Sequence, residues 1–178
     1  MIKIFLVVIV TLFALTSGLA IYNFKSMEIS YITTCAMDKG GFCKIALTTL
    51  RGNQKDISDL EANGGLNFIF AGYDGATLLH PVNTKEYNKR LFQIADFYLS
   101  NGININHISP IDQLTPLHGA VLFNQIEVLK YLLDHDAKKN IIPPKIRKNP
   151  LELALQLQLE NKGDYSAAIE LLSSHKKN

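Results

Sequence analysis

The sequence of 178 residues lacks the motifs that carry enzymatic chemistry. Only two cysteines are present, Cys35 and Cys43, and no histidine stands at ligand spacing from them, which argues against a zinc site. No pair of histidines has the helical spacing used for zinc, and neither a Gly-x-Ser-x-Gly nucleophile elbow nor a phosphate-binding loop occurs. The sequence therefore predicts a protein that is not an enzyme and that binds no metal or cofactor.

An excess of charge of either sign is also missing. The chain has 18 basic and 16 acidic residues, for a formal net charge of +2. Removal of the apolar N-terminal residues 1–20 takes away only one charged residue, Lys3, so the remainder stays close to neutral. Nothing in this balance indicates a nucleic acid as a partner.

One long apolar run stands at the N-terminus. Lys3 precedes it, and no further charged residue occurs before Lys25. This pattern is typical of a secretory signal peptide, and Gly18 and Ala20 supply the small residues that favour cleavage after Ala20. An uncleaved membrane anchor is the alternative, because residues 4–22 are nearly long enough to span a bilayer. Both interpretations place the folded part beyond the inner membrane, in the periplasm.

Export would place the two cysteines in an oxidising compartment. In an oxidising compartment a close pair such as Cys35 and Cys43 predicts a disulfide, and Gly40 and Gly41 between them permit a tight turn. Closing so small a loop would stabilise the fold by about 2–3 kcal/mol.

The most informative stretch is Thr-Pro-Leu-His-Gly-Ala at Thr115–Ala120. Thr115 is placed to cap a helix, and Pro116 suits the first helical turn, where its missing N–H would have had no partner. An amphipathic segment of helical period follows at residues 126–133 and ends near Asp136. The pattern predicts two helices joined by a short turn.

A similar pattern lies upstream. Gly75–His80 matches the opening, with Leu78 in the position of proline. Residues 91–99 form the second helix of this unit, closed by Asn101 and Gly102. The spacing from Thr77 to the next opening at Thr115 is 38 residues, which is longer than the 34 residues from Thr115 to the opening at Asn149. Its excess length is assigned to a polar insertion at residues 81–88.

Two weaker units stand at the ends. Upstream, Gly52 and Gly64 are twelve residues apart, and residues 57–64 have the pattern of a second helix and its stop. Downstream, Asn149–Ala154 opens a unit one repeat period after the opening at Thr115, and residues 167–172 supply its second helix.

This series of patterns, over residues 41–175, resembles the ankyrin repeat, a helix pair of about 33 residues that opens with Thr-Pro-Leu-His. The resemblance implies an all-α solenoid of about four helix-turn-helix repeats that are degenerate at both ends, where terminal repeats face water. It divides the chain into a signal peptide or anchor at 1–20, an N-terminal extension at 21–40 and an ankyrin-repeat domain at 41–178. In the family the motif histidine ties neighbouring repeats together by hydrogen bonds. The residues that carry this structural motif are Thr77, His80, Thr115, Pro116, Leu117 and His118.

The resemblance also implies a binding surface, made by the finger-like loops between repeats and by the first helices. Its candidate residues are Tyr73, Asp74, Asp112 and Gln113 on the fingers, Thr49, Leu50, Arg51, Leu122 and Phe123 on the first helices, and Tyr87 in a projecting insertion at residues 83–89. Phe123 either anchors a partner or packs under the next finger. A basic group, formed by Lys138, Lys139, Lys145, Arg147 and Lys148, is either a solvated loop or a contact for an acidic partner or an anionic membrane surface.

An exported ankyrin protein of this size and layout resembles bacterial immunity proteins that neutralise antibacterial effectors, including type VI secretion effectors. The resemblance implies that its partner is a toxin enzyme, a phospholipase or a cell-wall hydrolase, whose active site it masks. The alternatives are a periplasmic accessory or scaffold protein supporting an envelope or antioxidant enzyme, and an enzyme with its site in an eroded terminal repeat. Membrane contact is expected only through the possible N-terminal anchor.

Overall fold

The computed structural model describes residues 52–71 and 84–174. Within these ranges the chain forms seven α-helices and no strand. The helices are α1 Gln54–Ala62, α2 Leu66–Phe70, α3 Thr84–Ser100, α4 Pro116–Leu122, α5 Ile126–Asp134, α6 Pro150–Leu159 and α7 Ser166–Ser174. None of these helices is both long and apolar enough to cross a membrane. The apolar N-terminal run and the cysteine pair lie outside the described residues.

The helices stack as pairs in two layers. α2 packs on α3, α4 on α5 and α6 on α7, while α4 also contacts both α2 and α6, and α5 contacts α7. α2, α4 and α6 therefore form an inner layer, and α3, α5 and α7 an outer one. α1 adjoins the end of α3, because Glu61 accepts a hydrogen bond from the Asn104 N–H at 2.7 Å. The predicted all-α solenoid of stacked helix pairs is confirmed.

The position of a helix in the stack determines how much of it is buried. Every residue from Pro116 to Val121 of α4 is buried, because inner helices cover it on both sides. In α6, by contrast, Leu155 is 43% exposed, and no helix in the described part of the chain packs on its far side. α4 is thus the central inner helix, and its burial explains why its sequence keeps the repeat motif best.

Side-chain caps begin the inner helices α4 and α6, and the cap at Thr115 is the one that the sequence predicts. Thr115 accepts a hydrogen bond from the His118 N–H at the start of α4, and Pro116 occupies the first turn. At α6, Asn149 and Glu152 form a reciprocal capping box, in which each side chain accepts from the other's backbone N–H at 2.9 and 2.8 Å. A cap of this kind contributes about 1 kcal/mol to the stability of a helix.

Five of the described helices, α1, α3, α4, α5 and α6, end in a common way. The second residue after the last helical residue adopts the left-handed conformation, and the residues in this position are Gly64, Gly102, Asn124, Asp136 and Asn161. The next N–H then donates to a carbonyl five residues back, as from Ile103 to Tyr98 at 3.0 Å. This is the Schellman motif, in which glycine is favoured and asparagine and aspartate are tolerated. The predicted stops at Gly64 and Gly102 are confirmed.

α3 corrects the prediction of a projecting insertion before it. The helix begins at Thr84, so most of the supposed loop is helical. Tyr87 is only 3% exposed, and it lies on one helical face with the buried residues Leu91, Ile94, Ala95 and Tyr98. The prediction that Tyr87 projects as a contact residue is therefore wrong. Its charged neighbours made the segment resemble a loop, although they occupy the exposed face of an amphipathic helix.

α2 occupies the position in which the sequence predicted a helix opening at Thr77. The Gln125 side chain, just before α5, donates to the Phe70 carbonyl at 3.3 Å. Equivalently, the Tyr165 hydroxyl, just before α7, donates to the Leu122 carbonyl at 3.4 Å. Phe70 and Leu122 thus end equivalent inner helices, and α2 is the inner helix of its pair. Thr77 and the other predicted residues of this unit, Tyr73, Asp74 and His80, lie outside the described residues, as do Thr49, Leu50 and Arg51.

Candidate functional site

Two loops of equal length connect the helix pairs and form the fingers of the solenoid. Finger 1 is residues 101–115 and finger 2 is residues 135–149. Near each tip a residue adopts the left-handed conformation, Gln113 with φ 62° and Arg147 with φ 50°. Their N–H groups close the same turn, donating to the carbonyls of Ser109 at 2.8 Å and Pro143 at 2.9 Å. The fingers are therefore copies of one structure, separated by a single repeat period.

Hydrogen bonds hold finger 1 in place from both sides. The Asn67 amide on α2 donates to the carboxylate of Asp112 at 3.0 and 3.1 Å and to the Leu114 carbonyl at 3.1 Å. The same carboxylate accepts from the Leu114 N–H at 3.0 Å. On the other side, the Lys145 amine of finger 2 donates to the Asp112 carbonyl at 3.0 Å. The carboxylate of Asp112, which was predicted as a contact residue, therefore stabilises the finger. Gln113, the other predicted contact residue of this finger, is exposed.

His118 ties α4 to finger 2, as the sequence predicted. Its side chain is fully buried, with Nε2 at 3.1 Å from the Lys148 carbonyl and Nδ1 at 2.6 Å from the Thr115 hydroxyl. Because a carbonyl oxygen only accepts, Nε2 carries the proton, and Nδ1 accepts from Thr115. Burial lowers the pKa of His118, and its hydrogen bond to the Lys148 carbonyl opposes that shift in part. His118 is therefore a neutral structural residue.

A second cluster, which the sequence did not reveal, joins α3 and α5 on the outer layer. The Tyr131 hydroxyl donates to the Asp96 carboxylate at 2.6 Å, and His135 Nε2 lies 3.7 Å from the same carboxylate. The rings of Phe92 and Phe70 pack against Tyr131 with centroids 4.9 and 5.7 Å away. Burial, and then the hydrogen bond to Asp96, raises the pKa of Tyr131 far above its usual range. Asp96 and Tyr131, far apart in sequence, meet here only because successive repeats stack.

One further histidine, His107, lies in the described part of the chain. His107 in finger 1 is half-buried, and its Nε2 has no hydrogen-bond partner in the described structure. His80 and His175 lie outside the described residues. Among the residues that the structure describes, no three His, Cys, Asp or Glu side chains stand close enough to hold a metal ion.

An open depression of about 630 Å³ lies on the outer layer between α3 and α5. Its lining is largely charged and carries both signs, with Lys85, Lys89, Asp96 and Glu127 among its residues. A small-molecule site usually combines an apolar enclosure with a few convergent polar groups. The depression is better described as an uneven part of the solvated outer surface.

A group of exposed apolar side chains lies where the inner helices end. Phe123, the C-cap of α4, is 66% exposed, and Leu122 before it is 40% exposed. At the end of α6, Leu159 is 82% exposed. Leu159 and Leu122 are equivalent, because each stands two residues before a left-handed asparagine, Asn161 and Asn124. We call Leu122, Phe123 and Leu159 the helix-end surface.

Hydrogen bonds fasten the end of α4 to the segment just before α7. The Asn124 amide donates to the Asp164 carbonyl at 2.9 Å, and the Tyr165 hydroxyl donates to the Leu122 carbonyl. The exposure of Phe123 excludes the alternative that it packs under a finger within the described structure. Leu159 was missed from the sequence, because the greater length of α6 shifts it out of register with Leu122.

Comparison with protein families agrees with this architecture. Residues 90–133, from α3 to α5, match the family model described as ankyrin repeats in many copies. No curated protein and no solved structure matches the chain. Ankyrin repeats form solenoids whose surfaces bind other proteins. The stacked helix pairs and the match over residues 90–133 show an all-α solenoid of the ankyrin-repeat type, an architecture that typically serves as a protein-interaction module.

Proposed function

We propose that this protein is a periplasmic immunity protein, which binds a secreted antibacterial effector and blocks its active site. The helix-end surface is the observation that carries the proposal. Phe123, Leu122 and Leu159 are exposed at the ends of two inner helices that pack on each other, and exposed apolar groups of this kind typically mark an interaction site.

Phe123 is suited to anchor such a complex. An aromatic side chain brings a large apolar area to an interface and has few rotatable bonds to immobilise. Its backbone is held by the α4 C-cap, where its N–H donates to the Gly119 carbonyl at 3.0 Å. A rigid anchor lowers the entropy lost on binding, so more of the contact energy remains as affinity.

The apolar character of the surface favours one of the two effector classes. A phospholipase binds acyl chains and therefore has an apolar entrance to its active site, whereas a cell-wall hydrolase binds polar sugars and peptides. Leu122, Phe123 and Leu159 complement the first kind of entrance. Masking needs no reactive group on the inhibitor, and a stoichiometric complex would suffice.

The location rests on the sequence of residues 1–22. The apolar run after Lys3 and the small residues Gly18 and Ala20 support export. Cell fractionation with mass spectrometry of the N-terminus tests this. A mature chain beginning at Ile21 in the periplasmic fraction is expected, and a cytoplasmic chain that retains Met1 would contradict it.

The function is tested by partner identification followed by titration. The full chain, recovered from its native host under mild detergent, is expected to bring down an effector lipase. Added back to the purified lipase, it is expected to abolish hydrolysis at an equimolar ratio. Deletion of the gene is expected to make cells sensitive to sister cells that secrete the effector. Full resistance after deletion, or a partner enzyme whose activity is unchanged or raised, would overturn immunity and favour an accessory role.

A further inference from the structure

Positive charge is concentrated on finger 2. Its cations are Lys138, Lys139, Lys145, Arg147 and Lys148, against the single carboxylate of Asp136. Finger 1 contains one carboxylate, Asp112, and no lysine or arginine. With a net charge of only +2 over the whole chain, this is a local field on a specific loop.

Two of the cations have fixed positions. The Lys145 amine donates to the Asp112 carbonyl at the tip of finger 1, and the Lys139 amine donates to the Leu172 carbonyl in α7 at 2.8 Å. Lys138 and Arg147 are exposed, and neither has a carboxylate within ion-pair distance in the described part of the chain. The charges of Lys138 and Arg147 are therefore not paired within the described part of the chain.

Exposed isoleucines lie among these charges. Ile111 at the tip of finger 1 is 72% exposed, and Ile142 on finger 2 is 58% exposed. Ile108, which occupies the position of finger 1 equivalent to that of Ile142, is 38% exposed. The Lys145–Asp112 hydrogen bond joins finger 2 to finger 1 at the residue after Ile111, so the exposed isoleucine of finger 1 lies next to the basic finger. We call Ile111, Ile142, Lys138 and Arg147 the finger patch.

We propose that the finger patch docks an acidic protein segment in which carboxylates flank apolar side chains. This inference rests on the proposed function, since it names the chemistry of the partner surface that reaches the fingers. Isoleucines would take the apolar side chains, and Arg147 would pair with a carboxylate in bidentate geometry. The turn at Pro143–Arg147 fixes the backbone that carries this guanidinium.

A protein segment fits the patch better than an anionic membrane. Recognition of lipid head groups by charge typically uses clusters of about four to eight freely moving lysines or arginines. Here Lys139 and Lys145 are held against backbone carbonyls, which leaves three cations for such a cluster. A fixed arrangement of charges around isoleucines instead matches a partner of defined shape.

Selection from random peptides tests the proposal without knowledge of the partner. The full chain, immobilised in dodecyl maltoside, is panned against a phage-displayed library of random peptides. The selected sequences are expected to be rich in Asp and Glu next to apolar residues. Affinity is then measured by fluorescence anisotropy for a selected peptide and for its Asn/Gln counterpart. The K138E/R147E chain is expected to bind the acidic peptide about tenfold more weakly than the wild type. Added salt is expected to weaken the binding of the wild-type chain.

Matched controls separate the patch from general charge effects. The K89E/K130E chain reverses two exposed cations of α3 and α5 and is expected to bind like the wild type. Neutral or basic selected peptides, or equal losses in both variants, would overturn the proposal. Binding of phosphatidylglycerol micelles that is lost in K138E/R147E, without peptide binding, would show a membrane site instead. If Phe123→Ala loses effector inhibition but still binds the peptide, the helix-end surface and the finger patch act independently. The two proposals are therefore tested separately.

Discussion

His118 of α4 donates its Nε2 proton to the carbonyl of Lys148, so one helix pair holds the finger that precedes the next. The contact joins a fully buried side chain to the loop that carries the basic residues. Stability of the stack and the position of the finger patch therefore depend on the same hydrogen bond.

Replacing His118 with alanine is expected to lower the free energy of unfolding by about 1–3 kcal/mol, because the Lys148 carbonyl and the Thr115 hydroxyl lose their partner. Urea unfolding followed by circular dichroism measures the change. The control, Lys130→Ala on an exposed position of α5, is expected to stay within about 0.5 kcal/mol of the wild type. Equal stability of the two variants would contradict the structural role of His118.

Acid is expected to weaken the fold through the same residue. Burial lowers the pKa of His118 in the folded chain below its ordinary value of 6.5, so the unfolded chain takes up a proton first as the pH falls. The contribution of His118 is fully present above that value and is lost as the pH falls towards the folded pKa. The melting temperature, measured between neutral and mildly acidic pH, is expected to fall less in His118→Gln than in the wild type. Parallel curves for the two proteins would show that His118 does not titrate this way.

Replacement of Tyr87 distinguishes a buried position in α3 from the projecting loop that its charged neighbours suggest. Since its side chain is only 3% exposed within α3, Tyr87→Ala is expected to cost about 3–5 kcal/mol, as other deletions of large aromatic side chains do. Thermal unfolding measures this loss. If the variant melts at the wild-type temperature, Tyr87 lies on a surface loop and the helical placement is wrong.

Phe123 and Leu132 are expected to respond in opposite ways to replacement by alanine. Phe123→Ala, at a residue 66% exposed, is expected to change the free energy of unfolding by under about 1 kcal/mol. Leu132→Ala, at a fully buried residue of the adjacent helix, is expected to cost about 2–5 kcal/mol. A large loss from Phe123→Ala would mean that its ring belongs to the core.

The sequence predicted those features that depend on neighbouring residues. Thr115 and Pro116 start α4, and Gly102 stops α3, because caps and left-handed positions are determined within a few residues. α2 escaped prediction, since its five residues are too few to display a helical period and include neither the proline nor the histidine of the motif. The Asp96–Tyr131 contact escaped because it depends on the offset between stacked helices.

The candidate surface was only partly visible beforehand. Leu122 and Phe123 were predicted as contact residues from their place in the repeat, and the structure exposes both. Asp112 was predicted in the same way, yet its carboxylate is engaged with Asn67 and Leu114. The place of a residue in the repeat pattern does not show whether its side chain forms hydrogen bonds within the protein.

Titration of the partner effector's activity tests the central claim most directly. The full chain is expected to inhibit at an equimolar ratio, and Phe123→Ala, with unchanged stability, to inhibit about 30-fold more weakly, as loss of an interface anchor of about 2 kcal/mol would produce. Lys130→Ala is expected to inhibit like the wild type. Full inhibition by the Phe123→Ala chain would contradict the claim that the helix-end surface blocks the effector.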